Sequence, residues 1–264
     1  MNSMRYIGFD VHRKTVRACI RNADDTIAHE STFECTREGL ESFARSHLVK
    51  SDLLTLEATF HSWPIVEVIS PFVQKVVVSN PMATKAIAQS KVKTDKIDAR
   101  VLSELLRIGY LPEVWTPNQP TRELRGLCAR RASLVSDSTR LKNRIHGVLA
   151  KCLIPRPSEI FDVKGRRWLA SLELPEWATR QIQSDLRLLT LTECELAEQE
   201  KILLERAWGD PRVKLLITMP GVDVTVALAI LAALGDIDRF RDGNHLAAYL
   251  GLELVATGQT GKER

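Results

Sequence analysis

The stretch Tyr6-Ile7-Gly8-Phe9-Asp10-Val11 decides the fold of the first part of this chain. It is a short apolar run that ends on an acid, which predicts a buried strand with a carboxylate at its end. The residues from Thr15 to Ile20 alternate well enough to form its hairpin partner, and a third strand fits Thr26 to Phe33. The sequence therefore predicts that the chain opens with three consecutive strands.

Helix and strand patterns alternate after these strands. Thr36 is placed to cap a helix that runs from Glu38 to Val49. Leu53 to Ala58 is a second apolar run that closes on an acid, and Ser62 to Phe72 has a helical pattern. Lys75 to Ser79 has the β-branched continuity of a strand that is buried on both faces. We therefore predict a mixed sheet with helices packed on its faces, which is an α/β domain.

The next part of the chain has the pattern of long helices. Residues 121–151 form the longest helical candidate, in which apolar residues recur every seven positions at Leu127, Leu134, Leu141 and Val148. Residues 179–207 have the same spacing, at Ile182, Leu189, Leu196 and Leu203. Arg131 and Ser138 occupy other positions of the stripe that would face a partner helix. The pattern therefore favours a short antiparallel coiled-coil hairpin over a long parallel dimer.

The last segment, from Val213, consists of a helix, a turn at Met219-Pro220-Gly221 and a second helix to Leu234. This order is similar to a helix-hairpin-helix, in which turn amides and a helix N-terminus hold a backbone phosphate. Asp223 stands where the usual form of that module has a second glycine, and an acid there opposes phosphate. Both a DNA contact and a purely packing role therefore stay open for this turn.

The composition excludes several classes of protein. Of the 264 residues 44% are hydrophobic and 27% are charged, which excludes global disorder. No apolar stretch approaches the ~18 residues of a membrane span and the first residues lack an apolar signal core, so we expect a cytoplasmic protein without a membrane partner. The five cysteines are scattered without a Cys-x-x-Cys pair, which indicates neither a disulfide framework nor a zinc site.

The positive charge is concentrated in the middle of the chain. The formal net charge is +4, whereas residues 75–151 alone contain 15 Lys and Arg against 6 Asp and Glu. Such a block is the expected footprint of a polyanion partner, although a solvated helix surface would have the same composition. The residues expected to contact nucleic acid are Lys91, Lys93, Lys96, Arg100, Arg122, Arg125, Arg130, Arg131, Arg140, Lys142 and Arg144.

Four acids are candidates for a metal site. Asp10 and Glu57 each close an apolar strand, and acids at the ends of neighbouring strands can converge at one edge of a sheet and hold Mg²⁺. Asp95 and Asp98 are three residues apart, so they share a face on the first turn of a helix. Together these acids indicate phosphoryl transfer on a nucleic-acid backbone with two Mg²⁺ ions.

Each acid also has a simpler interpretation when it is taken alone. Asp95 can be an N-cap with Asp98 at the third helical position, Glu57 a surface acid and Asp10 a turn former. His12 lies two residues beyond Asp10 and can polarise a water there, or it can be an ordinary packed or surface histidine.

Three segments resemble the carboxylate motifs of the DEDD transposases, an insertion-sequence family with a RuvC-like, ribonuclease-H-type N-terminal domain. They are Tyr6 to Lys14, Leu56 to Thr59, and Lys93 to Ala99. The tail from Met219 to Leu252 is similar to the C-terminal transposase domain of that family. The resemblance covers essentially the whole chain, and it implies that the metal-binding acids are Asp10, Glu57, Asp95 and Asp98.

The resemblance also implies a catalytic serine in the C-terminal domain. The corresponding stretch here, Glu253 to Lys262, contains no serine, and Thr260 is the nearest match. A threonine hydroxyl can act as a nucleophile, though its methyl group requires more room. Members of the family usually continue with a further basic segment and a helix, so we expect a chain that is truncated at its C-terminus.

By resemblance, the partners are DNA and a structured guide RNA that pairs with it, so that base pairing would choose the sequence and the protein would hold the backbones. A homo-oligomer, either a dimer or a dimer of dimers, is also implied, with an active site composed from two chains. The expected domains are a RuvC-like catalytic domain over residues 1–115, a helical coiled-coil region over 116–209, and a small, incomplete all-α C-terminal domain over 210–264.

The function expected from this resemblance is that of a transposase or site-specific recombinase of an insertion sequence, with Mg²⁺-dependent strand cleavage and exchange guided by RNA. Two alternatives stay open. One is a stand-alone RuvC-like nuclease or junction resolvase that uses the same acids with water as the nucleophile. The other is an inactive truncated copy that only binds nucleic acid.

Overall fold

The structure is a computed structural model that describes residues 4–91, 98–155 and 157–251. The chain divides after Thr116 into two compact units. The first contains a sheet and its helices, and the second is helical. No helix in the described ranges is both long enough and apolar enough to cross a membrane.

The first unit is built on a mixed five-stranded sheet. Its strands are β1 (Arg5–Val11), β2 (Thr15–Asn22), β3 (Ile27–Glu34), β4 (Leu53–Glu57) and β5 (Lys75–Ser79). They lie in the order β3-β2-β1-β4-β5, with β1, β2 and β3 antiparallel to one another and β1, β4 and β5 parallel. The predicted mixed α/β sheet is therefore confirmed, and it is consistent with a RuvC-like fold.

One face of the sheet carries the main apolar core. The helices α1 (Arg37–His47) and α2 (Ser62–Ile69) cover this face, and a short 3-10 turn follows α2. Phe9 is fully buried there, with its ring 5.5 Å from the ring of Phe43 in an edge-to-face arrangement. The Thr36 hydroxyl accepts a hydrogen bond from the Gly39 amide at 3.1 Å, as predicted for the cap of α1.

The opposite face is covered by α4 (Ala99–Arg107), against which α3 (Pro81–Lys91) packs. A β-carbon at Gly8 would lie 2.1 Å from the Ala99 carbonyl oxygen, so only glycine allows α4 this close to β1. Further along α4, the Ser103 hydroxyl contacts Arg21, which pairs with Tyr6 near the start of β1. The helix therefore runs antiparallel to β1, and its N-terminus lies toward the end of that strand.

The second unit is organised by two long helices, α5 (Gln119–Lys151) and α7 (Glu176–Trp208). They pack antiparallel, because Arg206 of α7 pairs with Glu123 near the start of α5 while Arg144 near its end pairs with Asp185. The shorter helices are α6 (Val163–Ser171), α8 (Pro211–Leu216), α9 (Val224–Leu234) and α10 (Gly243–Tyr249). One apolar cluster joins α6 to the end of α5 and the start of α7, and another joins α8 and α9 to the end of α7.

Candidate active site

Asp10 and Glu57 lie side by side at one edge of the sheet. The parallel strands β1 and β4 pair Phe9 with Leu56, and the next residues on the two strands are Asp10 and Glu57. Phe9 and Leu56 are buried in the core on the side of α1 and α2. Because side chains alternate along a strand, Asp10 and Glu57 point to the other face, which is the face of Gly8 and α4.

The electrostatics of this pair are unfavourable without a cation. Burial raises the pKa of the Glu57 carboxyl above its ordinary value, and the negative charge of Asp10 raises that pKa further. Within the described residues no hydrogen bond reaches the Glu57 carboxylate. A divalent cation between the two carboxylates would offset both effects, so the donor set fits a hard cation with oxygen ligands.

The imidazole of His12 lies beside Asp10 in the described part of the chain. Its Nε2 lies 3.3 Å from the Asp10 Oδ2, and its side chain is 56% exposed while that of Asp10 is 21% exposed. It is therefore a surface histidine beside the carboxylate rather than a packed one. It is positioned to bind a water or a phosphate oxygen next to Asp10.

Asp98 caps α4 instead of lying within it. The helix begins at Ala99, and the Asp98 Oδ1 accepts hydrogen bonds from the amides of Arg100 at 3.0 Å and Val101 at 3.1 Å. The predictions that Asp98 lies on the first helical turn, or at the third helical position, are therefore wrong. An aspartate oxygen satisfies the free amides best from an extended residue before the helix, and Asp98 has that conformation, with φ −136° and ψ 179°.

The direction of α4 places Asp98 toward the end of β1 that carries Asp10. Asp98 lines a cavity of about 400 Å³ together with Arg17 and Ala18 of β2, and these two residues pair with Asp10 and Phe9 of β1. Both capping hydrogen bonds reach the Oδ1 of Asp98, so in the described structure its Oδ2 is left for another ligand.

The described residues alone do not complete a metal site. Across residues 4–91, 98–155 and 157–251, no three His, Cys, Asp or Glu side chains are close enough together to hold an ion. Four of the expected site residues lie outside the described residues, namely Asp95, Thr260, Lys93 and Lys96. Lys91 is the last residue of α3, and its side chain is also outside them.

Several of the basic residues expected to contact nucleic acid are engaged within the protein. The guanidinium of Arg100 binds Glu30 of β3 through two hydrogen bonds of 2.6 and 2.5 Å, and this pairing raises the pKa of Arg100. Arg125 donates to the carbonyl oxygens of Ala232 and Ala233 at 2.7 and 3.0 Å, which ties α5 to the end of α9.

The acids of α7 face much of the remaining basic surface of α5. Arg131 lies 2.7 Å from Glu200 and Arg144 lies 2.6 Å from Asp185, whereas two other pairs are separated by 3.8 Å. Those two are Arg130 with Glu195 and Lys142 with Glu193. Arg140 pairs with Asp137 of its own helix, and Arg122 is partly buried. The positive charge counted along the sequence is thus partly neutralised in the fold.

The turn near residue 221 has its helix N-terminus occupied. Gly221 has a left-handed backbone, with φ +83°, and Asp223 caps α9 by accepting a hydrogen bond from the Val226 amide at 2.7 Å. A carboxylate therefore stands where a helix-hairpin-helix would hold a phosphate. This geometry favours the packing role over a DNA contact.

Comparisons with known proteins agree with this arrangement. The model of the IS110-type DEDD transposases matches residues 7–154, and the model of the transposases of the IS116/IS110/IS902 family matches residues 213–264. The chain is similar to the pilin gene-inverting protein of Moraxella bovis, with 28% identity over 267 residues, which cover 95% of this chain and 72% of that relative.

A protein of Sinorhizobium fredii named as a transposase, y4qE, is 27% identical over 176 residues, covering 65% of this chain and 43% of that protein. The first family model alone spans more than half of the chain and includes the strands that carry Asp10 and Glu57. The chain therefore belongs to the IS110-type DEDD transposase family, whose members are DNA-processing enzymes.

Proposed function

We propose that this protein is a transposase or site-specific recombinase that cuts and rejoins DNA strands by metal-dependent phosphoryl transfer. The observation that carries the proposal is that Asp10 and Glu57 directly follow the paired residues Phe9 and Leu56 at the edge of the sheet, where burial and like charge raise the pKa of Glu57. Two carboxylates held in this way are a ready site for a divalent cation, which offsets their repulsion.

Two Mg²⁺ ions are the proposed cofactor. Asp10, Glu57 and the Oδ2 of Asp98 would hold them together with Asp95. When bound, Mg²⁺ ions neutralise charge on a scissile phosphate and activate the attacking hydroxyl group. The protein's own residues supply position: β1 and β4 fix the first two carboxylates, and the capping bonds of Asp98 hold the third at the start of α4.

The proposed nucleophile is the hydroxyl of Thr260. The support is its place in the stretch Glu253 to Lys262, where the family has its serine. The proposed partners, a structured guide RNA and further copies of the same chain, rest on the family resemblance. In such a system base pairing selects the DNA sequence, and the protein holds the backbones.

The test is cleavage of a plasmid that carries the ends of the element, with Mg²⁺ and with a chelator. We expect cleavage to require Mg²⁺ and to be lost in Asp10→Asn and Glu57→Gln. The matched control is Glu67→Gln, because Glu67 is an exposed acid on α2, on the other side of the sheet, and this variant should cleave normally. Wild-type cleavage by both site variants would overturn the proposal.

Thr260→Ala separates the two modes of strand cleavage. Loss of cleavage in this variant, as in Asp10→Asn, supports a hydroxyl nucleophile and strand exchange. Retained cleavage in Thr260→Ala, with loss in Asp10→Asn, would instead show a nuclease that uses water.

A further inference from the structure

The hairpin between β1 and β2 carries cations directly beside the carboxylate pair. Arg13 and Lys14 form its exposed turn, and Arg17 is exposed three residues later. No acidic residue occurs in the sequence from Val11 to Ala23. The hairpin is therefore a positively charged surface at the edge of the sheet where Asp10 lies.

Arg17 is the member of this group that faces the site. It lies directly opposite Asp10 in the antiparallel register of β1 and β2, so the two side chains project from the same face of the sheet. Arg17 also lines the cavity of about 400 Å³ that Asp98 borders. Arg17 is thus adjacent to Asp10 across the strands and also lines the cavity that Asp98 borders.

Within the described residues, the guanidinium of Arg17 is left available to bind a ligand. In the described part of the chain Arg17 forms no ion pair, although an acid is its direct neighbour across the strands. Arg21, the next arginine of β2, contrasts with it, because its guanidinium lies 2.5 Å from Asp25 and 3.7 Å from Glu104. Arg100 at the rim of the same cavity is held by Glu30.

We infer that Arg17 binds the phosphate group of the DNA strand that is presented to Asp10 and Glu57, and that Arg13 and Lys14 bind the adjoining backbone. The inference rests on the proposed function. A guanidinium can donate two parallel hydrogen bonds to phosphate oxygens, which fixes the orientation of the phosphate as well as attracting it. Cations at the border of the site also add to the attraction of the phosphodiester backbone.

The inference is tested by the affinity of the full chain for a fluorescein-labelled DNA duplex, measured by anisotropy over a range of salt concentrations with Ca²⁺ in place of Mg²⁺. In Arg17→Gln we expect affinity to fall about tenfold, as for the loss of one charge-assisted contact. The slope of log affinity against log salt should also decrease by about 1, because one phosphate contact is lost.

The Arg17→Lys variant separates the effect of the positive charge at residue 17 from the effect of orienting the phosphate. It should keep the salt slope of the wild type, because the charge stays, but its cleavage rate should fall since a lysine cannot bind a phosphate with two parallel bonds. The matched control is Arg45→Gln, an exposed arginine of α1, on the opposite side of the sheet, and its affinity and slope should equal those of the wild type.

Two outcomes would overturn the inference. One is an unchanged affinity and salt slope in Arg17→Gln, and the other is an equal loss in Arg45→Gln, which would show a general charge effect. A loss confined to an RNA duplex of the same sequence would likewise overturn the assignment to DNA. Binding is measured without cleavage, so the inference and the proposed function can fail separately. Cleavage that persists in Asp10→Asn would refute the proposed function, and the DNA affinity of Arg17→Gln would still test the inference.

Discussion

The backbone of Ala99 lies directly on Gly8. A β-carbon on Gly8 would be 2.1 Å from the Ala99 carbonyl oxygen and 2.7 Å from the Ser103 amide nitrogen, and both of these are main-chain atoms. This contact fixes where α4 begins above β1. It therefore fixes the distance at which Asp98, the residue before Ala99, stands from Asp10, which is two residues beyond Gly8.

Gly8→Ala should therefore damage both stability and cleavage. The added methyl group can be accommodated only if α4 moves away from the sheet, and overpacking of this kind destabilises by about 1–3 kcal/mol. Movement of α4 also carries Asp98 out of place, so we expect the cleavage rate to fall more than the folded fraction does. Denaturant unfolding and plasmid cleavage at a temperature where the variant stays folded measure the two effects.

Gly126→Ala is the matched control for this prediction. Gly126 lies inside α5, and nothing is within 4 Å of the position of its missing β-carbon. Alanine in an exposed helix interior is favoured over glycine by about 1 kcal/mol, so this variant should be as stable as the wild type or more so, with unchanged cleavage. An equal loss in both glycine variants would argue against the role assigned to the Gly8 contact.

Short-range patterns were enough to predict the strands and the principal acid pair. The apolar runs that end at Asp10 and Glu57 mark two buried strands, and acids at the ends of parallel strands can converge once those strands are neighbours, as β1 and β4 are. The seven-residue spacing likewise marks positions that are buried in α5 and α7, such as Leu134 and Leu189.

What the sequence could not supply depends on contacts between distant residues. α4 starts at Ala99 because the Asp98 side chain accepts the hydrogen bonds of the first amides and because Ala99 packs closely onto Gly8. Neither contact leaves a periodic signal in the sequence. The pairing of Arg131 with Glu200 joins residues on two different helices, so a charge count along the chain could not show that neutralisation. The sequence does not single out Arg17, because its position depends on the register that places it opposite Asp10.

Asp98 should prove to have two separable roles, one in capping α4 and one in holding metal. Asparagine caps a helix about as well as aspartate, so Asp98→Asn should keep the stability of the wild type within a few tenths of a kcal/mol while losing cleavage. Asp98→Ala should lose cleavage and also about 1 kcal/mol of stability, because both capping bonds disappear. Chemical denaturation and cleavage assays on the two variants separate these roles.

The cap of α6 provides the control for Asp98. Asp162 accepts a hydrogen bond from the Gly165 amide at 2.6 Å and caps its helix in the same way, but in the other unit. Asp162→Ala should therefore lower stability by a similar amount without the specific loss of cleavage. Full cleavage by Asp98→Asn would contradict the metal-binding role.

Glu57 should make the metal-free protein less stable at neutral pH than its glutamine variant. A carboxyl whose pKa is raised by folding binds more protons in the folded state than in the unfolded state between its ordinary and its raised pKa. The wild type therefore loses stability as the pH rises through that interval, whereas Glu57→Gln does not. At neutral pH in a chelator the variant should unfold at a higher temperature, and the difference should vanish at a pH below the ordinary pKa of glutamate.

Added Mg²⁺ should make the wild type more stable than Glu57→Gln. An ion that binds only the folded state stabilises it according to its affinity, and Glu57→Gln lacks one of the proposed ligands. The wild type should thus gain more from Mg²⁺ than the variant, as thermal unfolding at several concentrations of the ion will measure. A variant that is less stable than the wild type in chelator at neutral pH would show that the Glu57 carboxylate has a stabilising partner instead.

The basic residues of α5 should divide into structural and exposed groups. Arg125 donates to two carbonyl oxygens at the end of α9, and hydrogen bonds that involve a charged group contribute about 1.5–3 kcal/mol, so Arg125→Ala should clearly destabilise the second unit. Arg130 is 55% exposed and 3.8 Å from Glu195, and exposed pairs contribute about 0–1 kcal/mol, so Arg130→Ala should have little effect on unfolding.

The effects on nucleic-acid binding should be the reverse of the effects on stability, so that the change at Arg130 matters more than the change at Arg125. Arg130→Ala removes an exposed charge and should reduce the salt dependence of DNA affinity, while a conservative Arg125→Lys should leave it unchanged because that side chain is directed into the protein. Circular dichroism melting curves and salt-dependent anisotropy on the same preparations measure both properties. If Arg130→Ala binds DNA with the affinity and salt slope of the wild type, Arg130 makes no contact with DNA and the expectation drawn from its exposed charge is wrong.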